Sequence, residues 1–147
     1  MFFFRFLPAV AVFLCMPAWS QAVSEGWMRA MPPGQPTAAA YLTIENPSDV
    51  AVSLLSASSP LAGSVEIHES VQRDGMWRMR RLIELQIPAG GSAELAPGGV
   101  HLMLFRMERG LREGEKLPVT LQFDNGETRQ LEIDVRAIGA TGGHRHH

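Results

Sequence analysis

The feature that most constrains the fold is a pair of alternating segments near the carboxyl end of the chain. Apolar residues occupy every second position of 119–123 and again of 131–135. Such alternation is typical of strands that bury one face. Asn125-Gly126 stands between the two segments and favours a tight turn. The pattern therefore predicts an antiparallel β-hairpin.

Shorter segments of the same kind recur through the rest of the chain, and residues that favour turns separate them. The segments are 38–45, 50–55, 65–70, 76–87 and 100–105. None shows a sustained helical period, so we predict an all-β domain, an antiparallel β-sandwich or small barrel of about eight strands. We interpret Val23–Gln35 as an extended lead-in to the first sheet.

The first 22 residues differ from the rest of the chain. Arg5 precedes an apolar run over 6–16, and small residues follow at Ser20 and Ala22. The run is too short to span a bilayer, so we predict that 1–22 is a signal peptide and that the protein is exported to the periplasm. We place the cleavage after Ala22, with cleavage after Ser20 as the second choice.

Two alternatives to a cleaved signal peptide remain open. One is a membrane anchor. The other is a lipoprotein attached through Cys15, although Leu14 is bulkier than the small residue usual before a lipidated cysteine. We expect Cys15 to be removed with the signal peptide, so that no membrane span remains after processing.

Removal of 22 residues from the 147 leaves 125, which suits one domain with its own core, over 23–138. Only one of the 13 basic residues is lost, so 12 remain against 15 acidic ones. This mild negative charge gives no reason to expect nucleic acid as a partner. No cysteine remains, which excludes a blue-copper site, because that site needs a thiolate. An enzyme is the least supported class, since no nucleophile–base group is evident.

Two potential metal ligands lie side by side on one predicted strand. In 100–105, a valine and two leucines alternate with His101 and Met103. The apolar residues are expected to face the core, so the imidazole and the thioether share the other face of the strand. An isolated methionine is ordinarily a core filler. Met103 lies beside His101 on the face away from the core, so core packing does not explain its presence as it explains that of the neighbouring leucines.

His68 lies on the polar face of 65–70, and Met79 follows the turn at Asp74. If the loop of this hairpin contains an even number of residues, Met79 lies opposite or diagonal to His68 on the same face. An odd loop would put the two on opposite faces. We predict the even loop.

Within 76–87, Trp77 shares the strand parity of Met79 and is expected to pack in the core; the alternative is that its ring shields a metal. In a regular strand Arg81 would lie on the same face as Trp77 and Met79, where a charged residue does not fit a core. We therefore expect a bulge or a change of face near Arg80-Arg81.

Two imidazoles and two thioethers favour Cu(I), because thioether sulfur is soft and uncharged. The sequence resembles the periplasmic copper chaperone family PCu(A)C, whose motif is His, ten residues, Met, twenty-one residues, then His-x-Met. His68, Met79, His101 and Met103 match every spacing. The likeness extends over nearly all of the predicted domain, including Ala39-Ala-Tyr-Leu-Thr-Ile-Glu-Asn46 and the stretch from Leu95 to Leu104.

This resemblance implies a cupredoxin-like fold and a Cu(I) site made of these four residues. It also implies delivery of copper for assembly of the copper A centre of a respiratory oxidase, with the oxidase subunit and Sco-type proteins as partners. We expect a monomer. Glu66 or Glu69 beside His68 could orient its imidazole; the alternative is that either is ordinary surface charge. Copper storage or detoxification at the same site is the alternative function; a structural β-sandwich domain is a further one.

The last segment, 139–147, lacks apolar periodicity, and we expect a flexible tail. Its histidines, His144, His146 and His147, could form a secondary site for Cu(II), because clustered imidazoles suit the harder oxidised ion. Adventitious affinity for metals is the alternative.

Overall fold

The computed structural model describes residues 20–139, which form β-strands joined by turns and contain no helix. The part of the chain so described therefore holds no helix long and apolar enough to cross a membrane. The strands are β1 (Ala22–Val23), β2 (Gly26–Arg29), β3 (Thr37–Glu45), β4 (Val52–Ser58), β5 (Ala62–Arg73), β6 (Met76–Leu82), β7 (Leu85–Ile87), β8 (Ser92–Leu95), β9 (Val100–Met107), β10 (Lys116–Phe123) and β11 (Thr128–Arg136).

Seven of these strands form a closed barrel in the order β5-β9-β3-β2-β11-β10-β4. The pairing of Ala57 with Val65 joins β4 back to β5 and closes the ring. Neighbouring strands are antiparallel except β2 and β11, which run parallel. β1 and β8 pair with β3, β6 pairs with β5, and β7 pairs with β4. The prediction of an all-β domain is confirmed.

The predicted carboxyl-terminal hairpin is present as β10 and β11, which pair from Lys116 with Asp134 to Gln122 with Thr128. The apolar side chains of β10 point into the barrel and are almost fully buried. The turn is a three-residue loop over 124–126, in which Gly126 takes the left-handed conformation with φ +84°.

The segment interpreted as a lead-in contains a barrel strand, β2, whose Met28 is fully buried. A Cβ atom at Gly26 would lie 2.1 Å from the Cδ1 of Ile133. The absence of a side chain at Gly26 therefore allows β2 to lie directly against β11. A four-residue strand that begins with glycine shows no alternation, which is why the sequence pattern did not reveal it.

The segment 76–87 is two strands rather than one, because the chain leaves β5 after Leu82 and pairs with β4 from Leu85 onward. The predicted bulge or change of face near Arg80-Arg81 is wrong, since the register of β6 against β5 is continuous. The prediction that Trp77 packs in the core is also wrong, since its side chain is 65% exposed. Trp77, Met79 and Arg81 can share one face because residues 76–81 of β6 are exposed on both faces; only Leu82, at the end of the strand, packs against the core.

Part of the β5–β6 hairpin extends beyond the barrel. β5 pairs with β9 only from Ala62 to Glu69, whereas its pairing with β6 continues to Arg73. Residues 70–79 are therefore a two-stranded projection, which we call the hairpin arm. Its turn is the two-residue Asp74-Gly75, with φ +53° and +74°, as in a type I′ turn.

Candidate metal centre

The structure brings the four predicted ligands to one outer face of the adjacent strands β6, β5 and β9. His68 lies directly opposite His101 in the ladder, and Met103 lies opposite Glu66. Met79 pairs with Ser70, which is two residues from His68 and on the same face. The two-residue turn confirms the prediction of an even loop.

His101 is buried although it points away from the core. Its side chain is covered by Tyr41, with ring centroids 6.4 Å apart, and by His68, at 6.2 Å. The Nδ1 of His101 lies 3.1 Å from the backbone oxygen of Gly99. A carbonyl oxygen only accepts, so Nδ1 carries the hydrogen and Nε2 keeps its lone pair.

His68 is held in the opposite tautomer. Its Nε2 donates a hydrogen bond of 2.9 Å to the Oε2 of Glu66, which leaves the lone pair on Nδ1. That Nδ1 is buried and has no hydrogen-bond partner among residues 20–139. An unpaired buried acceptor costs about 1–3 kcal/mol, a penalty that a metal–nitrogen bond would remove. The ring packs beside Phe105, with centroids 5.6 Å apart.

Glu66 connects His68 to a second basic side chain. Its Oε1 lies 3.7 Å from a guanidinium nitrogen of Arg81. The hydrogen bond from His68 holds the pKa of the Glu66 carboxyl below its ordinary value, and the charge of Arg81 lowers this pKa further. Glu69 instead bonds Arg80 at 2.7 Å on the other face of the strand. Of the two acids proposed to orient His68, Glu66 is the one that contacts it.

The two thioethers differ in their surroundings. Met103 is partly buried on β9, whereas the side chain of Met79 is 59% exposed. Met79 borders a surface depression of about 310 Å³, together with Ser70, Trp77, Arg78 and Gly98. The face is therefore open to solvent on the Met79 side.

The donor types fit a soft metal ion. Within residues 20–139, no three His, Cys, Asp or Glu side chains come together as a group that could hold a metal. The two imidazoles on this face are accompanied by thioethers, and this combination suits Cu(I). His144, His146 and His147 lie outside the described residues, so the structure does not bear on the proposed tail site.

Sequence reasoning missed the aromatic side chains that cover the histidines. Tyr41 packs on Trp27 with ring centroids 4.7 Å apart, and Trp27 in turn lies under the guanidinium groups of Arg29 and Arg136, at 5.9 and 5.2 Å. The parity of Tyr41 in β3 was the available signal. It places this side chain on the outer face, where a large aromatic ring covers a neighbour.

A closed barrel of this kind with additional edge strands is a cupredoxin-like domain. The copper-bound PCuAC domain from PmoF2 has the same fold, with a TM-score of 0.69 and 23% identity, over 80% of this chain and 93% of that one. The solution structure of CuI-DR1885 from Deinococcus radiodurans is similar at a TM-score of 0.63 and 33% identity, over 82% of this chain and 79% of that one.

The chain belongs to the LpqE-like family ("Putative lipoprotein LpqE-like"), which is the PCuAC-like family and which it matches over residues 22–135. It is also 34% identical over 131 residues to "Putative lipoprotein Lxx21020" of Leifsonia xyli subsp. xyli, covering 88% of this chain and 78% of the relative. The resemblance inferred from the motif is thus confirmed at the level of the family.

Proposed function

We propose that the protein is an exported copper chaperone, rather than an enzyme, that binds Cu(I) through His68, Met79, His101 and Met103. The observation that carries the proposal is the strand register, which gathers all four side chains on one face. The likeness to CuI-DR1885, a protein solved with Cu(I), supports the choice of metal.

The hydrogen bonds of the two imidazoles indicate which atoms bind the metal. His101 would use Nε2, because its Nδ1–H is engaged by a backbone carbonyl. His68 would use Nδ1, because Glu66 accepts a hydrogen bond from its Nε2. Hydrogen bonds of this kind fix the tautomer of a metal-binding histidine and its orientation. Both rings are thus prepared for a metal before it arrives.

The difference in exposure between the ligands supports transfer as well as binding. Met79 lies at the solvent side, so an incoming donor can displace its sulfur while the more buried ligands still hold the ion. Neutral thioethers also need no proton on release, unlike thiolates. We propose that the acceptors are the copper A subunit of a respiratory oxidase and Sco-type proteins.

The family and the Leifsonia relative are both described as lipoproteins, and this supports export. Gln21 is buried and Ala22 pairs with Glu45 in the fold. Cleavage after Ser20 would keep the buried Gln21 and the pairing of Ala22 with Glu45, whereas cleavage after Ala22 would remove both residues. The intact mass of the exported protein distinguishes these two sites from lipid attachment at Cys15.

We also propose that the tail histidines, His144, His146 and His147, provide a secondary Cu(II) site. The chain reaches the tail at Ile138, which borders the same surface depression as Tyr41 and Ala39. Ala39 pairs with Met103, so the tail begins one strand away from the main site. A variant that ends at Gly143 should lose Cu(II) affinity and keep Cu(I) affinity.

An anaerobic Cu(I) competition titration tests the main proposal. The wild type should bind one Cu(I) tightly, and the double variant Met79→Leu plus Met103→Leu should lose this binding. Met76→Leu is the matched control, because Met76 is also exposed on β6 but lies on the other face. Equal binding by the wild type and the double variant would refute the site. Tight binding without transfer to any acceptor would indicate storage instead of delivery.

A further inference from the structure

We propose that the hairpin arm, residues 70–79, is the docking element for the copper acceptor, and that it receives an acidic segment carrying sulfur donors. This inference rests on the proposed function, because it concerns the partner of the same site. It adds the surface on which the partner lies and the charge that the partner carries.

The arm concentrates apolar side chains that are open to solvent. Trp77 and Met79 both border the surface depression and are 65% and 59% exposed, and Met76, on the opposite face of the same strand, is 55% exposed. Single exposed apolar residues are ordinary, but adjacent ones at the rim of a depression are typical of interaction sites. Trp77 and Met79 lie on the same face of β6, so a partner that covers Trp77 also reaches the sulfur of Met79.

The position of the arm leaves it accessible. β6 ends the strand order, and its outer edge pairs with no other strand in the part of the chain that the structure describes. Beyond Glu69 the ladder between β5 and β9 ends, and one hydrogen bond of 3.1 Å, from the backbone nitrogen of Ser70 to the oxygen of Gly99, ties the base of the arm to the turn before β9. Two-stranded hairpins are only marginally stable on their own, so the arm can adjust to a partner without disturbing the barrel.

The charges on β6 indicate the sign of the partner. The strand contains three arginines and no acidic residue, in a protein whose net charge is −2. Arg80 and Arg81 face Glu69 and Glu66. Arg78 lies between Trp77 and Met79 and on the opposite face of β6, but it borders the same depression and takes part in none of the ion pairs among the described residues. An acidic segment would be attracted to this arginine and steered toward the exposed ligand.

The exchange that follows is a ligand substitution at Cu(I). A sulfur donor of the partner forms a bond to copper, and the bond from copper to the Met79 sulfur breaks. Copper remains Cu(I), so no electron is gained or lost. If the donor is a thiol, its proton goes to solvent as the thiolate binds.

Two synthetic peptides provide the test. Both contain the same Cys-x-x-Cys donors, flanked by aspartates in one and by lysines in the other. Under anaerobic conditions and at low ionic strength, the Cu(I)-loaded protein should transfer copper to the acidic peptide at least about 10-fold faster. The difference should shrink at high salt. Arg78→Glu should abolish or reverse it, and Trp77→Ala should slow transfer to both peptides.

Two exposed residues outside the arm serve as matched controls. Arg112→Glu makes the same charge change elsewhere, and Ile83→Ala removes an apolar side chain that is 91% exposed. Neither should alter the rates. Equal rates for the two peptides, or an equal effect of Arg112→Glu, would overturn the docking proposal alone, provided that the Cu(I) affinity of each protein is intact. A wild type that binds no Cu(I) would overturn the proposed function as well.

Discussion

The candidate site joins two regions with different structural support. His68, His101 and Met103 lie on the ladder between β5 and β9, whose inner face contributes fully buried leucines to the barrel core. Met79 lies on the hairpin arm, where neither face of β6 is buried. The difference suggests a division of work in which the ladder retains the ion and the arm exchanges it.

This division has a simple physical basis. On β9, every outward ligand is held by an inward neighbour such as Leu102 or Leu104, both fully buried. The neighbours of Met79 on β6, Arg78 and Arg80, are both exposed, so no buried side chain next to Met79 holds it, and its backbone pairs with Ser70. Substitutions in the two regions should therefore affect stability and copper binding in different proportions.

The largest effect on binding is expected for His101→Ala. This change removes a ligand that is preorganised and covered by Tyr41. Loss of hydrogen-bonding partners of metal ligands typically costs about 10–100-fold in affinity, so loss of this buried and preorganised ligand should cost more than about 100-fold. An anaerobic competition titration measures this change, and far-UV circular dichroism checks that the variant is folded. A loss of affinity of less than threefold would contradict the proposal that the ligands on the ladder between β5 and β9 retain the ion.

The largest effect on stability is expected for Leu102→Ala, because it opens a cavity directly behind the site. A change of this type destabilises a domain by about 2–5 kcal/mol. Trp77→Ala on the arm should change the free energy of unfolding by less than about 0.5 kcal/mol, since that side chain is exposed. Urea unfolding of both variants compares the two regions. Similar losses would show that the arm packs against the barrel.

A smaller effect is expected for Glu66→Ala, which removes the acceptor that orients His68. Cu(I) affinity should fall about 10-fold, as for other groups that support metal ligands. Glu66→Gln should restore most of it, because the amide oxygen can still accept the hydrogen bond. ¹⁵N NMR of the imidazole gives a separate readout. The wild type should carry its proton on Nε2 of His68, and Glu66→Ala should lose this preference. An unchanged tautomer would contradict the assignment.

The smallest effect on the protein as a whole is expected for Met79→Leu. Its affinity for Cu(I) should fall about 10-fold, or roughly 1.4 kcal/mol, and most of the change should be in the rate of release. The free energy of unfolding should stay within about 0.5 kcal/mol of the wild type, because the residue is exposed. Stopped-flow measurement of copper release, alongside urea unfolding, separates the two quantities. A marked loss of stability would show that Met79 is packed as firmly as the ligands on the ladder between β5 and β9.

The regions also differ in how far the sequence predicts them. Strand parity correctly placed His101 and Met103 on the face opposite the core, because each residue of β9 is either inward or outward. Parity did not give the even loop at Asp74-Gly75; it showed only that an even loop would bring Met79 to the face of His68, and the even loop was predicted in preference to an odd one. Parity could not show that Trp77 is exposed, since it does not distinguish a strand within a barrel from one that projects beyond it.

Other features depended on contacts between distant residues. The role of Gly26 requires Ile133, which is more than a hundred positions away in the chain. The burial of the His101 ring requires Tyr41, which lies on β3. Such pairings set the chemistry of the face, and a single strand pattern contains no information about them.

The proposed site holds one Cu(I) between two imidazoles and two thioethers on this face. X-ray absorption at the copper edge, on the Cu(I)-loaded protein without its tail histidines, counts these four ligands. The copper ion should have two nitrogen and two sulfur neighbours in the wild type, and one sulfur neighbour fewer in Met79→Leu. A spectrum with no sulfur neighbours, or one that Met79→Leu leaves unchanged, would contradict the proposed site.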